Sequence, residues 1–321
     1  MNTTPLKSVF LDFDTVSNGD LQLDVLRQWV DQLILYESNE SQISRRIADA
    51  DVVLLNKLEL TRELIFNAPR LKLIALAATG TNNIDLAAAR ERGIAVCNVA
   101  AYCTSSVVQH VWGLILSLTQ HVNEYSRLAR DGTWAKDEAG AVLRHPIREL
   151  HGRTFGVIGW GELGRGAARV AETFGMRVIV ANRRGAPPRA DRVEFDEFLA
   201  SADIVSLHCP LNEATRGLLG SRELALMKSD ALLINTARGA LIDGNALAAA
   251  LKAGRLAGAG IDVLPHEPPP PDDPLLGEAI PNLLPTPHVA WAAREARQRC
   301  IDEMAANIRD FRAGGRRGRV V

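Results

Sequence analysis

Cysteine is scarce: Cys97, Cys103, Cys209 and Cys300 are the only four in 321 residues, and no two form a CxxC pair. The spacing argues against a structural zinc site, and the length excludes a small disulfide-held scaffold. No metal is therefore expected, and reduced thiols in a cytoplasmic protein are the simplest reading. An excess of either charge is also missing: 37 Lys and Arg against 38 Asp and Glu leave a formal charge of −1. That balance gives no electrostatic reason for a nucleic-acid or acidic-membrane partner. The one basic run, Arg316, Arg317 and Arg319 between glycines, reads as a solvated tail. No apolar run is long enough to cross a bilayer. The uncharged stretch from Ile94 to Asn123 comes nearest, and Asn98, Thr104, Ser105, Ser106, Gln109 and Gln120 interrupt it. At the start of the chain, Lys7, Asp12 and Asp14 flank a short apolar run that reads as a first strand, not a signal peptide.

What is present is an ordinary globular composition, 47% hydrophobic, at a length that suggests two domains. Short β-rich runs alternate with Ala-, Leu- and Arg-rich helical stretches, the pattern of parallel sheets with crossover helices. Strands are expected at 9–12, 32–36, 52–56, 73–77 and 95–98, with helices at 21–29, 41–48, 61–67 and 85–91. A second series has strands at 154–158, 177–181, 204–207, 231–235 and 258–262. A last helix, 294–312, carries Ala296, Cys300, Met304, Ala305 and Ile308 on a helical period and can return to the first domain. The fold class is α/β, with two Rossmann-like domains (flavodoxin-like plus dinucleotide-binding) and parallel sheets. The expected boundaries are 1–101 plus 289–321 for the substrate domain and 102–288 for the dinucleotide-binding domain.

The segment Gly159-Trp160-Gly161-Glu162-Leu163-Gly164 reads as GxGxxG between a strand and a helix. Its first glycine permits the tight turn, the second lets backbone approach a pyrophosphate, and the third lets helix and strand pack closely. The helix N-terminus offers free N–H groups to the phosphates. A glycine turn used only for packing is the alternative. The three tyrosines, Tyr36, Tyr102 and Tyr125, are followed four residues on by Glu40, Ser106 and Ala129, so no Tyr-x-x-x-Lys reductase dyad exists. Nor is a zinc-dehydrogenase ligand set apparent.

The glycine motif is followed in order by His208-Cys209-Pro210-Leu211, Asn235-Thr236-Ala237-Arg238-Gly239, Gly260-Ile261-Asp262-Val263 with Glu267-Pro268, and Thr286-Pro287-His288. Together these resemble the D-isomer-specific 2-hydroxyacid dehydrogenase family over essentially the whole chain. Within it, the resemblance points to the glycerate dehydrogenase and hydroxypyruvate reductase group, partly through Ala78-Thr79-Gly80-Thr81-Asn82-Asn83-Ile84-Asp85. It implies NAD(P)-dependent reduction of a small 2-oxo acid such as hydroxypyruvate or glyoxylate, with Arg238, Glu267 and His288 catalytic. The chemistry agrees. Imidazole titrates nearest neutral pH and suits His288 as acid/base. Glu267 would hydrogen-bond that ring and favour its charged form. The forked guanidinium of Arg238 would hold the substrate carboxylate and polarise the carbonyl. Each of the three alone would be an unremarkable loop or surface residue.

By the same resemblance, Thr79 and Gly80 would meet the substrate carboxylate. Asp262 would face the nicotinamide carboxamide, or else serve as a turn cap. Thr104, Cys209, Pro210, Thr236 and Ala237 would line the cofactor cleft. Trp291 would wall the substrate pocket or pack in the core. The other histidines, His110 among them, read as structural. Competing readings are a 3-phosphoglycerate dehydrogenase-like enzyme and a non-catalytic nucleotide-sensing protein of the same fold. The second strand of the dinucleotide fold ends in Asn182-Arg183-Arg184 where an acid commonly holds the adenosine ribose. Loss of that acid and gain of two guanidinium groups predict NADP(H) as the preferred cofactor, with NAD(H) possible if both arginines point to solvent. A homodimer is also expected, because the uncharged helix 106–119 has too many apolar positions for one stripe, and the segment to His145 would then wrap the partner.

Overall fold

The computed structural model describes residues 5–276 and 280–321. The chain divides into two compact units, 1–103 with 291–321, and 104–290. In the first, five short strands, β1 (Lys7–Phe10), β2 (Gln32–Leu35), β3 (Val52–Leu55), β4 (Leu73–Leu76) and β5 (Ala95–Cys97), form one sheet in the order β2-β1-β3-β4-β5. All neighbours are parallel. The crossovers carry α1 (Asp24–Arg27), α2 (Ile43–Ile47), α3 (Arg62–Phe66) and α4 (Leu86–Glu91). β3 and β4 are buried along their whole length, as Val-Val-Leu-Leu and Leu-Ile-Ala-Leu must be when helices cover both faces. Thr61 and Asp85 cap α3 and α4 through their side chains. β1 begins and ends two residues before the expected 9–12, because the Asp12 carboxylate turns to accept from the N–H groups of Asn56, Lys57 and Leu58.

The second unit contains a long helix, α5 (Thr104–Gln120), then α6 (Val122–Arg130), before its sheet begins. Its strands are β6 (Thr154–Ile158), β7 (Arg177–Val180), β8 (Ile204–Leu207), β9 (Leu232–Asn235), β10 (Gly258–Ile261) and β11 (Leu283–Pro285), with the order β11-β10-β9-β8-β6-β7. The interleaved helices are α7 (Glu162–Thr173), α8 (Phe195–Ser201), α9 (Ser221–Leu226) and α10 (Gly244–Lys252). β11 was not foreseen: it has only three residues, one of them Pro285, so it carries no alternating or continuous apolar signal. The strand order reverses at β6/β8, the kind of switch point beside which open α/β sheets bind their ligands.

The apolar surplus of α5 has a local explanation. Trp112 stacks between Phe155 and Phe174, with centroid distances of 5.5 and 4.9 Å, and its indole N–H donates to the Ala167 carbonyl. α5 also packs on β9 and β10, so its own unit covers it on two sides.

The chain ends in α11 (Arg294–Arg312), which belongs to the first unit. Ala296, Cys300, Ile301, Met304, Ala305 and Ile308 are fully buried against Phe10, Leu54 and Ala75. Burial of Ile301, Met304 and Ile308 contributes about 1.5–3 kcal/mol each. The backbone of the basic tail beyond it docks on the sheet, while Arg316 and Arg317 stay exposed as expected. Arg319 bridges antiparallel to Cys97, Val320 donates to the Val96 carbonyl, and Arg317 pairs with Glu303 at 2.5 Å. The exposed edge of β5 supplies unpaired backbone groups, and the tail satisfies them.

Candidate active site

The glycine turn follows β6. Gly159 has φ +104°, and a Cβ there would fall 2.5 Å from the backbone of His208 and Cys209 at the end of β8. Only glycine allows both the left-handed backbone and that approach. Around Gly161, which precedes α7, a Cβ would meet nothing within 4 Å, so backbone there is open to a ligand. At Gly164 a Cβ would lie 2.1 Å from the Gly159 carbonyl oxygen. Three glycines thus do three different jobs. Leu163 is half-buried in the first turn of α7, and the neighbouring Glu162 accepts from Thr104 Oγ1 at 2.7 Å, an exposed carboxylate tied to α5. Trp160 is half-buried beneath the Arg192 guanidinium, 5.7 Å from its ring centre.

Around this turn, β7 leads into Asn182, which is buried and donates from Nδ2 to the Ala186 and Pro187 carbonyls, closing its own loop. The two arginines that follow differ. Arg184 is drawn to Glu223 at 2.8 Å, whereas Arg183 is exposed and makes no ion pair with a described residue. At the ends of β8 and β9, His208 Nδ1 and Thr236 Oγ1 are buried without a hydrogen-bond partner among the described residues. Desolvation pushes the His208 imidazole down to about 4, so it is neutral near pH 7 and is no proton donor there. Cys209 is half-buried, its thiol pushed up by burial, and Pro210 is exposed. A dinucleotide fits this set: an open glycine at a helix N-terminus, a close strand–helix packing, and buried polar atoms still lacking partners.

Three adjacent strands, β9, β10 and β11, bring Arg238, Glu267 and His288 to one end of the sheet. Ala237 donates its N–H to Asn235 Oδ1, and Asn235 Nδ2 donates back to the Arg238 carbonyl, which sets the turn that presents the guanidinium. Arg238 is exposed and forms no ion pair with a described residue. A Cβ on Gly239 would fall 2.0 Å from the Leu264 carbonyl carbon, so glycine alone lets this turn lie against the 264–267 loop. There Glu267 accepts from the Leu264 N–H through Oε1 and from His288 Nδ1 through Oε2, at 3.1 and 2.5 Å. A carboxylate has no hydrogen to give, so Nδ1 is the protonated ring nitrogen and Nε2 is left for chemistry. His288 has φ +53°, a left-handed backbone that costs a non-glycine residue about 1–2 kcal/mol and is held only by its surroundings.

Those surroundings centre on Asp262. Its carboxylate, fully buried, accepts from Thr286 Oγ1 at 2.6 Å and from the N–H groups of Val289 and Ala290 at 2.9 Å each. Burial raises its pKa, but hydrogen bonds from His110, Thr286, Val289 and Ala290 outweigh that and hold it below the ordinary carboxylate range. His110, read from sequence as having no partner, stands 3.4 Å from Asp262 Oδ1. A helical histidine carries no local signal of a partner so far along the chain. Thr79 and Gly80 follow β4 in the first unit, where Thr79 Oγ1 donates to the Val99 carbonyl and Asn98 Nδ2 to the Thr79 carbonyl. Trp291 packs half-buried against the core of that unit.

Residues 112–290 match the family described as D-isomer specific 2-hydroxyacid dehydrogenase, NAD binding domain. The chain is 37% identical over 310 residues to a glycerate dehydrogenase of Methylorubrum extorquens, covering 96% of each. It is 34% identical over 317 residues to a hydroxypyruvate reductase of Blautia hydrogenotrophica, covering 96% of this chain and 98% of that one. Among solved structures, an acyclic imino acid reductase in complex with NADPH and D-Arg superposes with a TM-score of 0.84 at 28% identity, over 98% of this chain and all of that one, 100%. With matches of this extent, and a glycine turn built to take a dinucleotide, the chain belongs to the D-isomer specific 2-hydroxyacid dehydrogenase family.

Proposed function

We propose that this protein reduces a small 2-oxo acid, hydroxypyruvate or glyoxylate, to the corresponding 2-hydroxy acid, and that the His288–Glu267 contact of 2.5 Å carries the reading. The nicotinamide, when bound, supplies the hydride. Arg238 binds the substrate carboxylate through its fork and draws density from the neighbouring carbonyl. His288 holds a proton on Nε2 and releases it to the carbonyl oxygen, while Glu267 keeps the ring oriented through Nδ1. Relatives named glycerate dehydrogenase and hydroxypyruvate reductase support the choice of substrate. The test is oxidation of NADPH and NADH by the purified protein over a panel of 2-oxo acids; no turnover with any of them rejects the reading.

NADPH is the proposed preferred cofactor. Asn182 brings no negative charge to repel a 2′-phosphate, and Arg183 is unspent, while Arg184 must share itself with Glu223. A charge-assisted hydrogen bond is worth about 1.5–3 kcal/mol, enough for tenfold or more in KM. Arg183→Ala therefore raises KM for NADPH by about tenfold and leaves KM for NADH unchanged; Arg184→Ala has the smaller effect. Equal KM values for the two cofactors in the unmodified protein overturn the preference.

A homodimer is supported by exposed apolar side chains strung along the segment after α5: Val122, Trp134, Leu143 and Ile147. A second copy would cover them. Light scattering at micromolar concentration then gives twice the chain mass, and a monomer mass rejects the dimer. The four cysteines are free thiols, which fits a cytoplasmic protein, and no helix among the described residues is long and apolar enough to cross a membrane.

A further inference from the structure

Two side chains of α5, one helical turn apart, reach the segment that carries His288. Ser106 Oγ donates to the Ala290 carbonyl at 2.6 Å. His110 Nε2 stands 3.0 Å from Thr286 Oγ1 and 3.4 Å from Asp262 Oδ1. Counting hydrogens fixes the direction of these contacts. The Asp262 carboxylate can only accept, so Thr286 spends its single hydroxyl hydrogen on Oδ1 at 2.6 Å. Only lone pairs of Thr286 and Asp262 then face His110. The hydrogen between them must sit on His110 Nε2.

We propose that His110 is a positioning residue for His288: its Nε2–H locks Thr286 against the buried Asp262 carboxylate, and that pair fixes the backbone of 286–290. The inference rests on the reading of His288 as the acid/base. The anchors from Asp262 act on the backbone around His288. The Asp262 carbonyl accepts the His288 N–H at 2.8 Å, and the carboxylate accepts those of Val289 and Ala290. A left-handed histidine persists only where its surroundings over-determine it. Without a donor from α5, the Thr286 oxygen that faces His110 loses its hydrogen-bond partner there. The cheapest relief is a small rotation of the 286–290 backbone. That moves the His288 ring relative to Glu267, and displacements of this order lower rates without abolishing substrate binding.

The experiment uses the full chain in three variants. His110→Phe keeps a ring but removes the donor, His110→Gln restores an N–H near the former Nε2, and His288→Ala is the control. Two readouts are taken: steady-state kinetics with hydroxypyruvate and NADPH, and the His288 ring signal in ¹⁵N-histidine-labelled protein without cofactor. In His110→Phe we expect kcat to fall by about tenfold, KM values to stay within about twofold, and the His288 signal to move. In His110→Gln both return most of the way. Unchanged kcat with an unmoved His288 signal in His110→Phe overturns the proposal. So does equal impairment of kcat and KM in both His110 variants with a lowered Tm, which marks mere packing. If His288→Ala keeps the unmodified kcat, the acid/base reading falls instead, and the ring signal alone decides whether His110 positions His288.

Discussion

His288→Ala lowers kcat for hydroxypyruvate reduction by about 10²–10⁴, the range over which a positioned proton donor acts. The KM for hydroxypyruvate is expected to change little, because the proposed anchor of the carboxylate is Arg238. The loss falls on one group, since His208, packed against the glycine turn, is held neutral by desolvation and carries no imidazolium proton to lend. Glu267 keeps its contact with the Leu264 N–H when the ring is gone, so the loop and the melting temperature are expected to hold. Single-turnover and steady-state rates across a pH series make the measurement. A kcat within threefold of the unmodified protein removes His288 from the mechanism.

Arg238→Ala acts on both constants. Two charge-assisted bonds to a carboxylate are together worth about 3–6 kcal/mol, so kcat/KM falls by about 10²–10⁴. Part of that appears in KM, because the carboxylate loses its anchor, and part in kcat, because the carbonyl is no longer polarised. Arg238 is exposed and paired with no described acid, so its removal strands no buried charge and the Tm stays within a degree or two of the original. Arg238→Lys restores the charge without the fork and recovers only part of the activity. An unchanged KM with lowered kcat would sink the binding half of the role.

Legibility in the sequence followed the range of the interactions. Strands β6 and β8 begin and end at the expected residues, because each is a short, mostly apolar, fully buried run with a charged residue just before it, Arg153 or Asp203. The three-residue β11 had no such run and stayed hidden. In the basic tail the exposed arginines were legible, but the docking of its backbone on the edge of β5 was not. Arg183 and Arg184 are indistinguishable as neighbours in sequence. Glu223, brought in by α9, separates them.

By itself the sequence determined the two α/β series, the glycine turn with its separate demand at each of three positions, and the order of motifs that carries Arg238, Glu267 and His288. These are local patterns, or they are residue types whose chemistry is the same wherever they stand. The contact of Glu267 with the His288 ring was expected from the motifs and is present at 2.5 Å. Tertiary structure alone decided the contacts no motif announced, placing His110 beside Thr286 across 176 residues. It also turned Asp262 from a strand-end acid into the buried hub that holds His288 in a left-handed backbone. No periodicity records such contacts, because they arise only when β9, β10 and β11 align their ends and α5 packs across β9 and β10.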